Sequence, residues 1–325
     1  MKFFILFALV VQNTCTAILL RYISITRGTK FLFSTAILFQ EIIKILISMG
    51  FLLYNQKYYK SQNFINPFIP WREVTKLIVP AALYAIQNCI HYLAPLLLDV
   101  PTMQVTYQLK IFTTALFLYV LLGRKLSYKQ WSSLFLLASG VCLVHTCAPL
   151  EKKTATVPDL AQNKAYGICL VLLACIFSGF ATVYYEKILK AQNSDIWIRN
   201  IQLGFWSLIF AVVNILIFDL SRVLGKGLLQ GYSLVVWATL VANSLGGLIV
   251  SVVVKYTDNI SKGFATSVSI LSSSLLSHII FKTALSPFFF GGAGLVCAAV
   301  FLYSRDVSEV QAPNSASLLK TTSFL

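Results

Sequence analysis

The lysines inside apolar stretches are the residues of this sequence best able to do chemistry. An ionisable side chain at the centre of a lipid-embedded helix costs about 2.5–3.5 kcal/mol on insertion scales, so each needs a partner or a task. Lys110 lies in the run Gln104 to Ile111, Gln-Val-Thr-Tyr-Gln-Leu-Lys-Ile, where no acid stands beside it. A cation flanked by Tyr107, Gln108, Thr113 and Thr114 predicts an anion site lined by hydrogen-bond donors. Lysine suits phosphate there, because its ammonium is a compact charge with three rotatable donors. Lys262 comes just before Gly263, Phe264, Ala265 and Thr266, where another apolar run begins. A helix N-terminus and an ammonium would then face the same anion. The plainer reading of both is an interfacial lysine that snorkels to water, and it weighs more heavily on Lys262 than on Lys110. Glu41 and Lys44 stand three apart on one helix face, so mutual neutralisation is the favoured reading of that pair.

Two lysines suit the phosphates of a larger molecule, whose remaining parts need neutral donors and aromatic faces. Tyr84, Gln87, Asn88, Asn200, Gln202, Asn243 and Ser251 supply them from several apolar runs, which predicts a polar cavity near the midplane. Other chemistries lack their residues. The three histidines, His91, His145 and His278, are scattered, and the seven cysteines have no Cys-x-x-Cys or metal spacing, so neither a metal nor a cofactor is expected. No paired carboxylates and no Ser, His and Asp set stand at catalytic spacing, which argues against an enzyme.

The elements that must position these residues follow from composition. The 325 residues are 58% hydrophobic and 11% charged, with mean hydropathy +0.78. An ordinary soluble domain carries about 25% charged residues. Ten apolar runs are long enough to cross a bilayer: 3–21, 31–53, 74–95, 101–121, 129–147, 164–188, 198–219, 232–254, 261–281 and 287–303. Backbone amides in lipid must bond within their own segment, so each run is read as a helix whatever its β-propensity. The first run exceeds a signal-peptide core and is read as a retained anchor. Its mid-span Gln12, Asn13 and Thr14 predict that it faces other helices.

The formal charge of +15 is distributed over short loops, with no basic domain to bind nucleic acid. With the N-terminus in the cytosol, fourteen Lys and Arg fall on the cytosolic face against nine opposite, which favours both termini inside. The polar segment 148–163 divides the chain into a first five-helix repeat, 1–147, and a second, 164–303, followed by a disordered cytosolic tail, 304–325. Thr113, Thr114 and then Lys125, Leu126, Ser127 match Ser272, Ser273 and then Ala284, Leu285, Ser286 at one constant offset of 159 residues. An odd number of spans per half makes such repeats inverted, a common transporter plan. Gly179, Gly246, Gly247 and the run Gly291, Gly292, Gly294 predict close helix approaches. Asn259-Ile260-Ser261 is formally a glycosylation sequon, expected to be cytosolic or buried and unused.

Four segments, in order, also resemble a known family. They are Gln104 to Ile111; Ser178 to Ala181 with Tyr184 to Lys190; Trp197 to Gly204; and Val253 to Ile260 with Lys262 to Ser267. Together, over about residues 10 to 305, they are similar to the nucleotide-sugar transporters of the drug/metabolite transporter superfamily. The resemblance implies an all-α integral membrane fold of ten transmembrane helices in an inverted five-plus-five repeat. It implies antiport by alternating access in the Golgi membrane, with the endoplasmic reticulum as the other compartment. A UDP-sugar, UDP-N-acetylglucosamine or UDP-galactose, would enter the lumen in exchange for UMP. The lipid bilayer is then a partner and nucleic acid is not, while a homodimer or a glycosyltransferase complex stays open. The resemblance assigns Lys110 and Lys262 to the phosphates, and Tyr84, Asn88, Tyr107, Asn200 and Ser251 to the nucleotide. CMP-sialic acid members carry a tyrosine where Gly204 stands, so the UDP-sugar branch is the nearer one. Met103, Cys89 and Leu97 depart from the family pattern near the expected cavity. A CMP-sialic acid transporter and a non-transporting membrane adaptor of the same fold are the alternatives.

Overall fold

A computed structural model describes residues 2–25, 31–58, 71–98, 103, 106–146, 164–190, 195–282 and 288–303. The expected inter-repeat loop 148–163 and tail 304–325 lie outside the described residues. All regular structure among the described residues is helical. The helices are α1 (Lys2–Ile25), α2 (Phe33–Tyr58), the short α3 (Trp71–Thr75), α4 (Ile78–Leu97), α5 (Lys110–Leu122), α6 (Tyr128–Thr146) and α7 (Lys164–Lys190). They continue with α8 (Ile196–Lys226, containing a π-helical turn at Ile215–Asp219), α9 (Leu234–Tyr256), α10 (Asn259–Phe281) and α11 (Phe288–Tyr303). Six of them are long and apolar enough to cross a membrane, within α1, α2, α7, α8, α9 and α10, and α5 and α11 are shorter apolar helices. The chain is a multi-pass membrane protein.

Local sequence sets where the helices start and stop. Asp195, Ser233 and Asp258 cap α8, α9 and α10, accepting from the amides of Trp197, Val236 and Ser261. Before α6, Ser127 Oγ accepts from Gln130 N at 3.1 Å while Gln130 Oε1 accepts from Ser127 N at 3.3 Å, a reciprocal capping box. Gly123 ends α5 at φ +64°, a left-handed conformation that favours glycine. The expected continuous span 101–121 is broken. A turn at Gln108–Leu109, held by tight bonds such as Ile111 N to Gln108 O at 3.0 Å, makes Lys110 the first residue of α5.

Helices from the two sequence halves interleave. α1 packs on α9 and α10, α2 on α8, and α7 on both α4 and α5. Gln12 of α1 donates to the Ala242 carbonyl at 3.0 Å, as expected of a polar residue in a helix that faces its neighbours. A Cβ at Gly179 would come within 2.6 Å of Thr113 Oγ1, and one at Gly246 within 2.3 Å of the Gln12 amide, so two of the expected close approaches are present. Gly294 instead faces open space, and the tight contact with α11 comes from Gly140, whose Cβ would lie 2.9 Å from the Gly292 carbonyl.

Candidate functional site

A cavity of about 280 Å³ opens between α2, α4, α7, α8, α9 and the start of α10. Its polar wall is Ser34, Glu41 and Lys44 from α2; Tyr84 and Asn88 from α4; Tyr185 from α7; Asn200, Ser207 and Asn214 from α8; Ser251 from α9; and Lys262 from α10. Five of the seven sequence-derived site residues, Tyr84, Asn88, Asn200, Ser251 and Lys262, therefore meet in one place. Lys110 and Tyr107 stand outside that lining. Lys110 Nζ sits 4.3 Å above the Tyr107 ring centroid, and the Tyr107 hydroxyl accepts from Gln87 Nε2 at 2.7 Å. Lys110 begins α5, whose Ile111 packs on the same apolar cluster as Phe264 of α10.

The hydrogen bonds decide which wall groups are free for a ligand. Ser251 Oγ donates to Asn200 Oδ1 at 2.6 Å, short enough to mark an O–H donor, and Tyr185 Oη lies 3.2 Å from the same oxygen. That network turns the Asn200 amide nitrogen away, and Nδ2 is buried with no partner among the described residues. Glu41 Oε1 accepts from Lys44 at 2.8 Å, the expected neutralising pair, while its Oε2 is buried and unpartnered. A buried polar atom left without a partner is costly, so an unmet donor and an unmet acceptor on one cavity wall fit a polar ligand. Neither Lys110 nor Lys262 has a carboxylate ion-pair partner among the described residues.

Thr113 and Thr114 do not serve as donors to an anion. Thr113 Oγ1 donates to the Cys175 carbonyl at 2.8 Å, and Thr114 Oγ1 donates to the Lys110 carbonyl at 2.7 Å. Gln202 is likewise absorbed elsewhere, accepting from the Arg199 guanidinium at 3.0 Å. Asn259 of the sequon is 5% exposed and donates to the Thr182 carbonyl, so it is buried as expected. The three departures from the family pattern separate. Met103 and Leu97 pack in an apolar cluster with Ala94, Leu98, Val171 and Cys175, whereas Cys89 Sγ accepts from Asn214 Nδ2, a wall residue, at 3.0 Å. Glu41, Lys44, Tyr185 and Asn214 are wall residues that sequence reasoning did not assign. Glu41 and Lys44 carried a signal as a charge pair and Tyr185 as part of the Tyr184 to Lys190 segment, while Asn214 carried none.

Comparison with known proteins identifies the family. Residues 1–304 match the profile described as nucleotide-sugar transporter. The chain is 40% identical over 323 residues to the UDP-galactose translocator of Mus musculus, covering 98% of this chain and 82% of that protein. It is 40% identical over 326 residues to the UDP-N-acetylglucosamine transporter of Rattus norvegicus, covering 97% and 99%. A solved crystal structure at 11% identity aligns over 96% of this chain and 99% of its own with a TM-score of 0.69, a likeness of fold alone. With an all-helical membrane body and a polar cavity lined by Lys262, the chain belongs to the nucleotide-sugar transporter family, and it is a transporter and not an enzyme.

Proposed function

We propose that the protein exchanges a UDP-sugar, UDP-galactose or UDP-N-acetylglucosamine, for UMP across the Golgi membrane by alternating access. The observation that carries this reading is the cavity wall itself. Lys262, without a carboxylate ion-pair partner among the described residues, shares that wall with the unmet Asn200 donor, and Lys110, likewise without one among them, begins the neighbouring α5. The relatives named for UDP-galactose and UDP-N-acetylglucosamine transport supply the substrate class.

In this reading Lys262 and Lys110 neutralise the phosphates, and Tyr84, Asn88, Tyr107, Asn200 and Ser251 hold the nucleotide. The Asn200 amide offers its N–H groups to an acceptor oxygen because Ser251 and Tyr185 occupy its carbonyl side. The ten apolar runs form an inverted five-plus-five repeat with both termini cytosolic. Without a bound anion the two lysines go unneutralised, so the unloaded carrier is reluctant to turn over and exchange outruns net uptake.

Gly204 supports a UDP-sugar over CMP-sialic acid. A Cβ there would lie 2.7 Å from Ile45 Cγ1 and 3.9 Å from Glu41 Oε2, so the tyrosine that the resemblance gives the CMP-sialic acid branch would have to displace Ile45 of α2. Uptake of labelled UDP-galactose, UDP-N-acetylglucosamine and CMP-sialic acid into proteoliposomes preloaded with UMP tests the reading. At least one UDP-sugar should accumulate. Accumulation of CMP-sialic acid alone would overturn the assignment of the substrate.

A further inference from the structure

Outside the cavity, the densest set of buried charges surrounds the junction between α9 and α10. Asp258 caps α10 through Oδ1, which accepts from Ser261 N at 2.7 Å. Its other oxygen, Oδ2, accepts from Arg124 Nη1 at 2.9 Å, across from the turn between α5 and α6. On the far side of the junction stands Glu186 of α7, 1% exposed. Glu186 Oε2 accepts from Asn259 Nδ2 at 2.5 Å, and Lys190 bridges Glu186 Oε1 at 2.6 Å and the Thr257 carbonyl at 2.8 Å. Thr257, Asp258 and Asn259 are thereby held between the α5–α6 turn and α7.

Arg124 belongs to the first sequence half and Asp258 to the second. α9 and α10 pack against α1, α5 packs against α7, and the start of α10 meets α5, α6 and α7 through Ile260 and Phe264. The Lys262 amide donates to the Asp258 carbonyl at 3.1 Å, so the cavity's lysine stands one helical turn from the junction.

We propose that the Arg124–Asp258 pair is a latch that holds the junction end of the cavity shut, and that it parts when that end opens to substrate. The proposal rests on the carrier reading above. The pair ties a turn of the first half to a helix start of the second, parts that an inverted-repeat carrier moves against each other when it opens, and its bond is charge-assisted. The Arg124 side chain is 33% exposed, so water can replace the contact when the helices part. Because Lys262 rides on the same turn, opening the latch also moves the cation that meets the phosphates.

A carrier that rests latched binds substrate from the junction side only in its minor, unlatched state, and its apparent affinity there is reduced by that fraction. Weakening the latch should therefore lower KM at that face, the opposite of what damage to a binding site does. Asp258→Asn removes the charge and keeps the cap, since asparagine caps helices as well as aspartate does. Arg124→Gln removes the other partner.

The test uses sealed Golgi vesicles carrying the full chain, loaded with UMP, with UDP-galactose or UDP-N-acetylglucosamine added to the outer, cytosolic face where the proposed topology puts the junction. Each single variant is expected to lower KM by up to about fivefold, the range an ion pair of this exposure allows. The double variant should match the singles. A KM unchanged or raised in either single, or decreases that multiply in the double, would overturn the latch. If the unsubstituted chain takes up neither UDP-sugar, the carrier reading falls and the latch with it. A normal unsubstituted chain with unresponsive variants removes the latch alone.

Discussion

The cavity and the α9–α10 junction both hold charged and amide side chains away from water, and they treat them in opposite ways. At the junction each charge has met its opposite: Asp258 faces Arg124, and Glu186 faces Lys190. In the cavity Lys262 stands without a carboxylate ion-pair partner among the described residues, Asn200 Nδ2 has no acceptor, and Glu41 keeps one oxygen unmet. Lipid-embedded proteins retain unmet polar groups where something else completes them. The contrast therefore separates groups kept for a ligand from groups kept to hold helices together. It also gives substitutions in the two regions opposite signs on KM.

The largest expected effect is on the cavity side. Lys262→Ala or Lys110→Ala should cut UDP-sugar uptake at least tenfold, since a hydrogen bond to a charged group contributes about 1.5–3 kcal/mol. Uptake close to the unsubstituted rate in both variants would erase the distinction between the two regions. Asn200→Ala should raise KM about twofold to tenfold and leave the maximal rate nearly intact, because a neutral hydrogen bond is worth about 0.5–1.5 kcal/mol. A lowered KM, the sign expected at the junction, would break the comparison outright.

Gly204→Ala probes packing beside the cavity. With Ile45 Cγ1 at 2.7 Å from the added Cβ, overpacking should cost about 1–3 kcal/mol and lower the melting temperature in detergent. An unchanged melting temperature would show that α2 yields readily there. The smallest effect concerns pH. Burial works against the Asp258 charge, but the Arg124 guanidinium and the Ser261 amide outweigh it and hold the carboxyl below its usual range. Stability from a carboxylate with a depressed pKa is fully present above the unfolded value and is lost as pH falls through the folded one. KM at the junction face should therefore stay level from neutral to mildly acidic pH and fall only below the ordinary carboxylate range. A decrease already at mildly acidic pH would mean that some other group governs the latch.

Much of the cavity was legible in the sequence, because a lysine or asparagine inside an apolar run is too costly to be incidental. That physics pointed to Lys262 and to a set of donors that held Asn88, Asn200 and Ser251 beside Gln87, Gln202 and Asn243, and the family resemblance narrowed the set. The same physics misjudged Thr113 and Thr114, since a threonine hydroxyl in a helix can bond a carbonyl one turn back and nothing in the sequence says which it does. The break at Gln108–Leu109 was hidden for a related reason. Apolar character marks a span but does not mark where its hydrogen bonds shift from one register to another. Arg124 and Asp258 are 134 residues apart, so their pairing is a property of packing alone. Glu41 and Lys44 were legible as a pair from their spacing, while their place in the cavity wall depends on how α2 lies against α8.

The most direct test of the central claim compares UDP-sugar uptake into empty and UMP-loaded proteoliposomes, for the unsubstituted protein and for Lys262→Ala. If Lys262, without an ion-pair partner among the described residues, makes the cavity an anion exchanger, loading should accelerate uptake several-fold, and the variant should lose both the uptake and its dependence on loading. Equal uptake with and without UMP, or a variant that still responds to UMP as the unsubstituted protein does, would contradict the account.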